Sequence, residues 1–344
     1  MFNSKNVSHY LIAAGLILVG SSLINKVKDK YETNDEEDLI RDYLLNESPL
    51  YGKNRPKIWI HSKYEINARK WKSFQSRNTT DLNQPYLHLT IKTIINNCGN
   101  DFNVCLIDDE SFSKLLPNWD VNVNNLSEPS KSKYRELGML RLLQVYGGMV
   151  VPNSFVCSKN LKLFYEREIS NGNPFVCEAI NRQSDVANRS TVNNFTPSTY
   201  FMGANKNCNK INELVEHMKK VCGASHPTSE NEFTGSISQK CKEMIMKQNL
   251  NLVGGERIGV KSKNHKPIIL DDLMEEAYLD LHNSNIGIYI PSDELLKRSK
   301  YQWFAILSTE ELLQSRSIII KHLLSSLSDS SNPTSNTVYS VVTI

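Results

Sequence analysis

Three groups of side chains in this sequence have the types and spacing to do chemistry. Asp108-Asp109-Glu110 follow the apolar run Phe102-Asn103-Val104-Cys105-Leu106-Ile107, so three acids stand at the carboxyl end of an expected strand. Acids so placed can hold a divalent cation or a ribose, or they can cap the next helix, expected at Ser111 to Leu116. His61 and Ser62 close a second such run, Pro56-Lys57-Ile58-Trp59-Ile60-His61, where a histidine is readily satisfied by backbone. Asn153 and Ser154 follow Pro152 after Met149-Val150-Val151 and offer only an amide and a hydroxyl. A further acidic group, Asp271-Asp272 with Glu275-Glu276, has the spacing of a solvated helix face. Cys98, Cys105, Cys157, Cys177, Cys208, Cys222 and Cys241 include no C-x-x-C pair, which argues against a zinc site. They read as buried free thiols, with one or two bridges open to them in an oxidising compartment. No P-loop, no G-x-G-x-x-G and no Ser/His/Asp arrangement is present.

The elements that must position these groups are organised around Arg135 to Phe155. Leu137, Leu140, Leu143 and Val145 recur at near-helical spacing, with Glu136, Arg141 and Gln144 off the stripe. Gly147-Gly148 ends that helix, and Met149-Val150-Val151 is a short apolar strand stopped by Pro152. The tip is thereby presented at the carboxyl end of a strand, where open α/β sheets bind ligands. Helices are expected over Pro85–Asn97, Lys210–Val221 and Ser292–Arg298, and strands over Pro174–Ala179, Thr199–Ala204 and Ile286–Pro291. Asn118 to Lys133 and residues 181–198 read as polar loops. Glu232-Phe233-Thr234-Gly235-Ser236 reads either as a substrate loop or as a helix start. Trp71 and Phe74, at i and i+3, read as core, as does the aromatic run Tyr301–Phe304. Ser308-Thr309-Glu310-Glu311 has capping-box spacing and opens a last helix to about Leu324.

The Gly-Gly frame resembles the sugar-transferase families with a DXD sugar-binding region, the capsular polysaccharide synthesis and initiating α-mannosyltransferase types. Their signature runs roughly S-D-x-x-R-x-x-x-L-x-x-x-G-G-I-Y-x-D-x-D. This chain keeps Leu143, Gly147-Gly148 and an apolar Met149, and departs from it at Arg135, Glu136, Met139, Pro152 and Ser154. The opening strand, Pro56 to His61, is also similar, and the likeness extends to about Cys222. The resemblance implies a GT-A-like, Rossmann-like α/β fold: a mixed sheet flanked by helices. It implies a nucleotide sugar and a glycan acceptor as partners, with His61, Ser62, Asp108, Asp109, Asn153 and Ser154 as candidate nucleotide-sugar contacts. The catalytic residue is left unassigned. Pro152 and Ser154 stand where metal-binding aspartates are usual, so magnesium or manganese follows only if the altered tip still binds it. A metal-independent transferase would use cations instead, and Arg141 and Lys159 are near in sequence. Three functions are therefore open: nucleotide-sugar-dependent glycosyl transfer, an inactive transferase fold kept as a binding or structural module on a membrane, or a secreted glycan-binding protein, which N-terminal cleavage would support. The altered motif and the Asn/Lys/Ile bias also look like transferase-like proteins of large DNA viruses, which implies a virion or host membrane.

The membrane expectation has its own source. His9 to Ile24 is uncharged when His9 is neutral, and with Val7-Ser8 the stretch reaches about 18 residues, the lower edge of a spanning helix. A single-pass anchor over residues 1–25 is the first reading, and a cleaved signal peptide ending near Gly20-Ser21-Ser22 the second. Lys26, Lys28 and Lys30 favour a cytosolic carboxyl-terminal side, whereas Golgi-type transferases face the lumen. The expected layout is anchor 1–25, stalk 26–54, transferase-like domain 55–324 and a disordered polar tail 325–344. A net charge of +3, with no basic stripe interleaved with aromatics, gives no reason to expect a nucleic-acid partner.

Overall fold

The computed structural model describes residues 55–62, 84–178, 196–223 and 229–329. The expected anchor, the stalk, Trp71 and Phe74 lie outside these residues. Among the described residues no helix is long and apolar enough to cross a membrane.

In chain order the elements are β1 (Lys57–His61), α1 (Tyr86–Cys98), β2 (Asn103–Ile107), α2 (Ser111–Leu115), α3 (Ser130–Tyr146), β3 (Gly148–Val150), β4 (Phe155–Cys157) and α4 (Lys162–Glu168). Next come β5 (Phe175–Glu178), β6 (Pro197–Ala204), α5 (Asn209–Cys222), α6 (Glu230–Met246) and β7 (Asn251–Val253). The last are α7 (Leu270–Met274), β8 (Gly287–Tyr289), α8 (Ser292–Lys297), α9 (Gln302–Ile306), α10 (Thr309–Gln314) and α11 (Ile318–Asp329).

The six-stranded sheet has the order β2-β1-β3-β6-β5-β7. All its strands run the same way except β6, which is antiparallel to β3 and β5. Alternation along β1 sends Trp59 to one face and Ile58 and Ile60 to the other. On the Trp59 face, Ile107, Val150 and Met202 pack with α2, α3, α5 and α6. On the opposite face, Met149, Val151 and Phe175 pack with α1 and α4. The outer side of α1, through Tyr86 and Leu89, joins a third core built with Phe304, Leu312 and Leu323 of the carboxyl-terminal helices.

The organising stretch folds as expected. Leu137, Leu140 and Leu143 are buried on α3. Gly147 caps the helix at φ +69°, and Gly148 follows at φ +97°. A Cβ on Gly148 would sit 2.2 Å from the Lys57 carbonyl oxygen, so the glycine also lets β3 approach β1. After the tip, β4 turns away from the sheet and pairs with β8, Phe155 opposite Tyr289.

Several expectations need correction. The Asn118–Lys133 loop holds a 3-10 turn at Val123–Asn125, and α3 starts at Ser130. Of the two readings for Glu232 to Ser236, the helix start holds: they lie in the first turns of α6, behind a capping box at Ser229. The expected last helix is two: α10 ends at Gln314, and Ile318 opens α11, which runs on through Ser325 to Asp329. Trp303 is 39% exposed, whereas Tyr301 and Phe304 are buried as expected. The acidic group on α7 is not a plain solvated face. Asp272 accepts from the Ile269 N–H at 2.9 Å, and Asp271 accepts from Arg298 at 2.5 and 3.0 Å and from the Tyr301 hydroxyl at 2.6 Å. The seven cysteines are free, all buried except the half-buried Cys222, with the sulfurs of Cys98 and Cys157 3.9 Å apart.

Candidate functional site

The chain leaves β1 toward β2 on one side and returns past it to β3 on the other. β1 and β3 are therefore neighbours with connections in opposite directions, which opens a crevice at their carboxyl ends. His61 and Ser62 form one lip of that crevice and Pro152-Asn153 the other. The lips are joined: Asn153 Nδ2 donates to the His61 carbonyl at 3.2 Å. Thr90 Oγ1 of α1 donates to the Asn153 carbonyl at 2.5 Å and fixes the tip from behind.

The His61 side chain lies on the Trp59 side of β1 and stacks on Phe112 of α2, ring centres 5.9 Å apart and planes 9° apart. Its Nε2 lies 2.9 Å from Asp109 Oδ1. Arg135, in the first half of α3, holds the same carboxylate in a fork, Nε to Oδ1 at 2.7 Å and Nη2 to Oδ2 at 2.8 Å. The Asp109 side chain is 1% exposed, against 19% for His61 and 22% for Arg135. Burial works against the Asp109 charge, but the hydrogen bonds from Arg135 and His61 and the positive charge of Arg135 outweigh it. They hold the carboxyl well below the usual carboxylate range. The histidine is thus satisfied by a carboxylate, not by the backbone as expected.

Of the two readings open to the acids after β2, capping of the next helix holds for Asp108. Asp108 Oδ1 accepts from the Glu110 and Ser111 N–H groups at 3.1 and 2.9 Å and from Ser111 Oγ at 2.7 Å, so it caps α2. Asp109 alone faces the crevice lip.

Ser62 and Ser154 are 3% and 1% exposed. Ser154 Oγ donates to the Ile290 carbonyl at 2.7 Å, and the Ile290 N–H donates back to the Ser154 carbonyl at 3.1 Å. Its hydroxyl is therefore turned into the interior, away from any ligand at the tip. Pro152 has no ligand atom, and the Asn153 amide is engaged with His61. The tip residues do not fit a magnesium or manganese site, which wants several oxygen ligands. Among the described residues no group of His, Cys, Asp and Glu is arranged to hold a metal. Arg141 and Lys159 are also engaged elsewhere. Arg141 donates to the Pro117 carbonyl at 2.6 Å over the Trp119 ring, and Lys159 donates to the Asn283 carbonyl at 3.2 Å.

Sequence reasoning missed two further charged groups at this sheet edge. Glu178, at the end of β5, is buried and takes Lys261 Nζ at 2.5 Å and the Gly255 N–H at 3.0 Å. Glu136 of α3 accepts from the Thr199 hydroxyl at the start of β6. The one available signal was that Glu178 is a lone acid closing an apolar run. Its partner lies 83 residues away.

No protein-family model matches the chain, and no curated protein matches it. Among solved structures it is similar to one described as PaToxG glycosyltransferase, at 13% identity and a TM-score of 0.30, over 62% of this chain and 80% of that one. A likeness of that order fixes neither a family nor an activity.

Proposed function

We propose that this chain is a GT-A-like, glycosyltransferase-like protein that takes a nucleotide sugar at the carboxyl edge of its sheet, without a metal ion at the β3 tip. The observation that carries the reading is the topological switch between β1 and β3, bridged by Asn153 and His61, with the Asp109–Arg135 pair holding His61 from behind. His61 and Asn153 are the contacts this reading assigns. Ser62, Ser154 and Asp108 are withdrawn from that role, the first two by burial and the third by its capping bonds.

Calorimetric titration of the full chain with UDP- and GDP-sugars, with and without manganese, tests the reading. Binding unchanged by manganese is expected. Binding that requires the metal would overturn the metal-free site, and no binding at all would overturn the donor site.

A second reading, an inactive module, is favoured by the pairing of charges along this edge. Asp109 is held by Arg135, Glu178 by Lys261, and Lys133 Nζ lies 5.7 Å from the Phe233 ring centre. It predicts binding without turnover. In both readings residues 9–24 tether the protein to a membrane, virion or host, and alkaline carbonate extraction of the expressed full chain tests the tether.

A further inference from the structure

We propose that His61 is a proton-transfer residue, the base that takes the hydroxyl proton of an acceptor at the crevice, with Asp109 and Arg135 as its positioning residues. The proposal rests on the donor-site reading above. The two nitrogens of the ring have different fates. Nε2 meets Asp109 Oδ1 at 2.9 Å, and a carboxylate forked by Arg135 can only accept. Nε2 therefore carries the hydrogen, and the neutral ring keeps its lone pair on Nδ1. Nδ1 has no hydrogen-bond partner among the described residues, and it is not one of their buried unpartnered atoms. With the side chain 19% exposed, the basic nitrogen reaches solvent while the opposite edge of the ring is anchored.

The orientation is set from three directions. Phe112 stacks on the ring plane, Asp109 fixes Nε2, and the backbone of His61 lies in β1 with its carbonyl held by Asn153. A nucleophile or base oriented by a buried carboxylate is the general arrangement for proton transfer at neutral pH. Arg135 adds a second constraint by keeping that carboxylate ionised and in one plane.

In the step itself the acceptor O–H proton passes to Nδ1. The oxygen lone pair forms the bond to the anomeric carbon, and the bond from that carbon to the diphosphate breaks, the diphosphate leaving with its electron pair. The imidazolium then returns its proton to water. One displacement inverts the anomeric centre, and with water as acceptor the same step is hydrolysis.

The test uses the full chain with UDP-glucose and GDP-mannose as probes and water as acceptor. Hydrolysis of a bound probe is expected, and His61→Gln, assayed at a probe concentration that saturates it by calorimetry, should lower the rate about 100-fold. A wild type that binds a probe without hydrolysing it would overturn the proposal and leave the donor site standing. So would an unchanged rate in His61→Gln, and loss of binding there would make His61 a contact only. Failure of the wild type to bind either probe would sink both. Nitrogen NMR of histidine-labelled wild type is a check that needs no variant: the Nε2–H tautomer of His61 is required, and the Nδ1–H tautomer would refute the base. In Asp109→Asn the tautomers should shift toward Nδ1–H, a change that loss of mere packing would not produce.

Discussion

Asp109 shows what a single buried charge demands of its neighbours. Removing the guanidinium in Arg135→Met leaves its carboxylate interred without its cation, which costs about 3–5 kcal/mol. Arg135→Lys keeps the charge but loses the two-pronged fit, so it should fall between wild type and Arg135→Met in urea unfolding. The sign of the pH effect follows from the depressed carboxyl. Its contribution is full above the ordinary value of 3.8 and is lost as pH falls through the folded value. The stability gap between wild type and Asp109→Asn should therefore begin to narrow in thermal melts as pH falls below 3.8. Ser154 gives the opposite lesson. Ser154→Asp would place an acid beside the Ile290 carbonyl at a position 1% exposed. It should lower stability by about 2 kcal/mol or more, and calorimetry should detect no manganese binding gained.

At the level of elements, the steepest dependence is on the glycine pair between α3 and β3. Gly148→Ala meets a positive φ and a carbonyl oxygen at 2.2 Å. The backbone term alone is about 1–3 kcal/mol, and the clash with Lys57 adds to it, so urea unfolding should place this variant below any capping variant. Ser308→Ala, which removes the cap of α10, should cost about 1 kcal/mol in the same assay. Much of this layer was legible in the sequence. The strands β1, β2 and β5 and the helices α1 and α5 stand where apolar periodicity put them, because each buries a face whose repeat the sequence must carry. The undecided readings and the misreadings fell where the local signal is polar. At Glu232 to Ser236 the Gly and Ser left a loop and a helix start both open, and the Ser229 box with burial of Phe233 and Ile237 decides for the helix. The break between α10 and α11 at Ser315-Arg316-Ser317 has no Gly or Pro to announce it.

For the molecule as a whole, the α/β class and the carboxyl edge were legible, but the partners at that edge were not. Arg135 and Asp109 are 26 residues apart, and Lys261 and Glu178 are 83 apart. Pairings at such separations depend on strand order, which no local pattern encodes. Lys261→Met, which leaves Glu178 buried without its cation, is expected to destabilise by about 3–5 kcal/mol by urea unfolding. The Ser154–Ile290 latch carries a consequence for biosynthesis. Ser154 emerges from the ribosome 136 residues before Ile290, and the Cys157 carbonyl waits 169 residues for the Ser326 hydroxyl. A nascent chain ending before β8 exposes an unpaired β4 and the outer side of α1, so it is a client for holding chaperones. The tip between β1 and β3 is latched only once Ile290 has been made, and a message truncated before β8 yields a product without that latch.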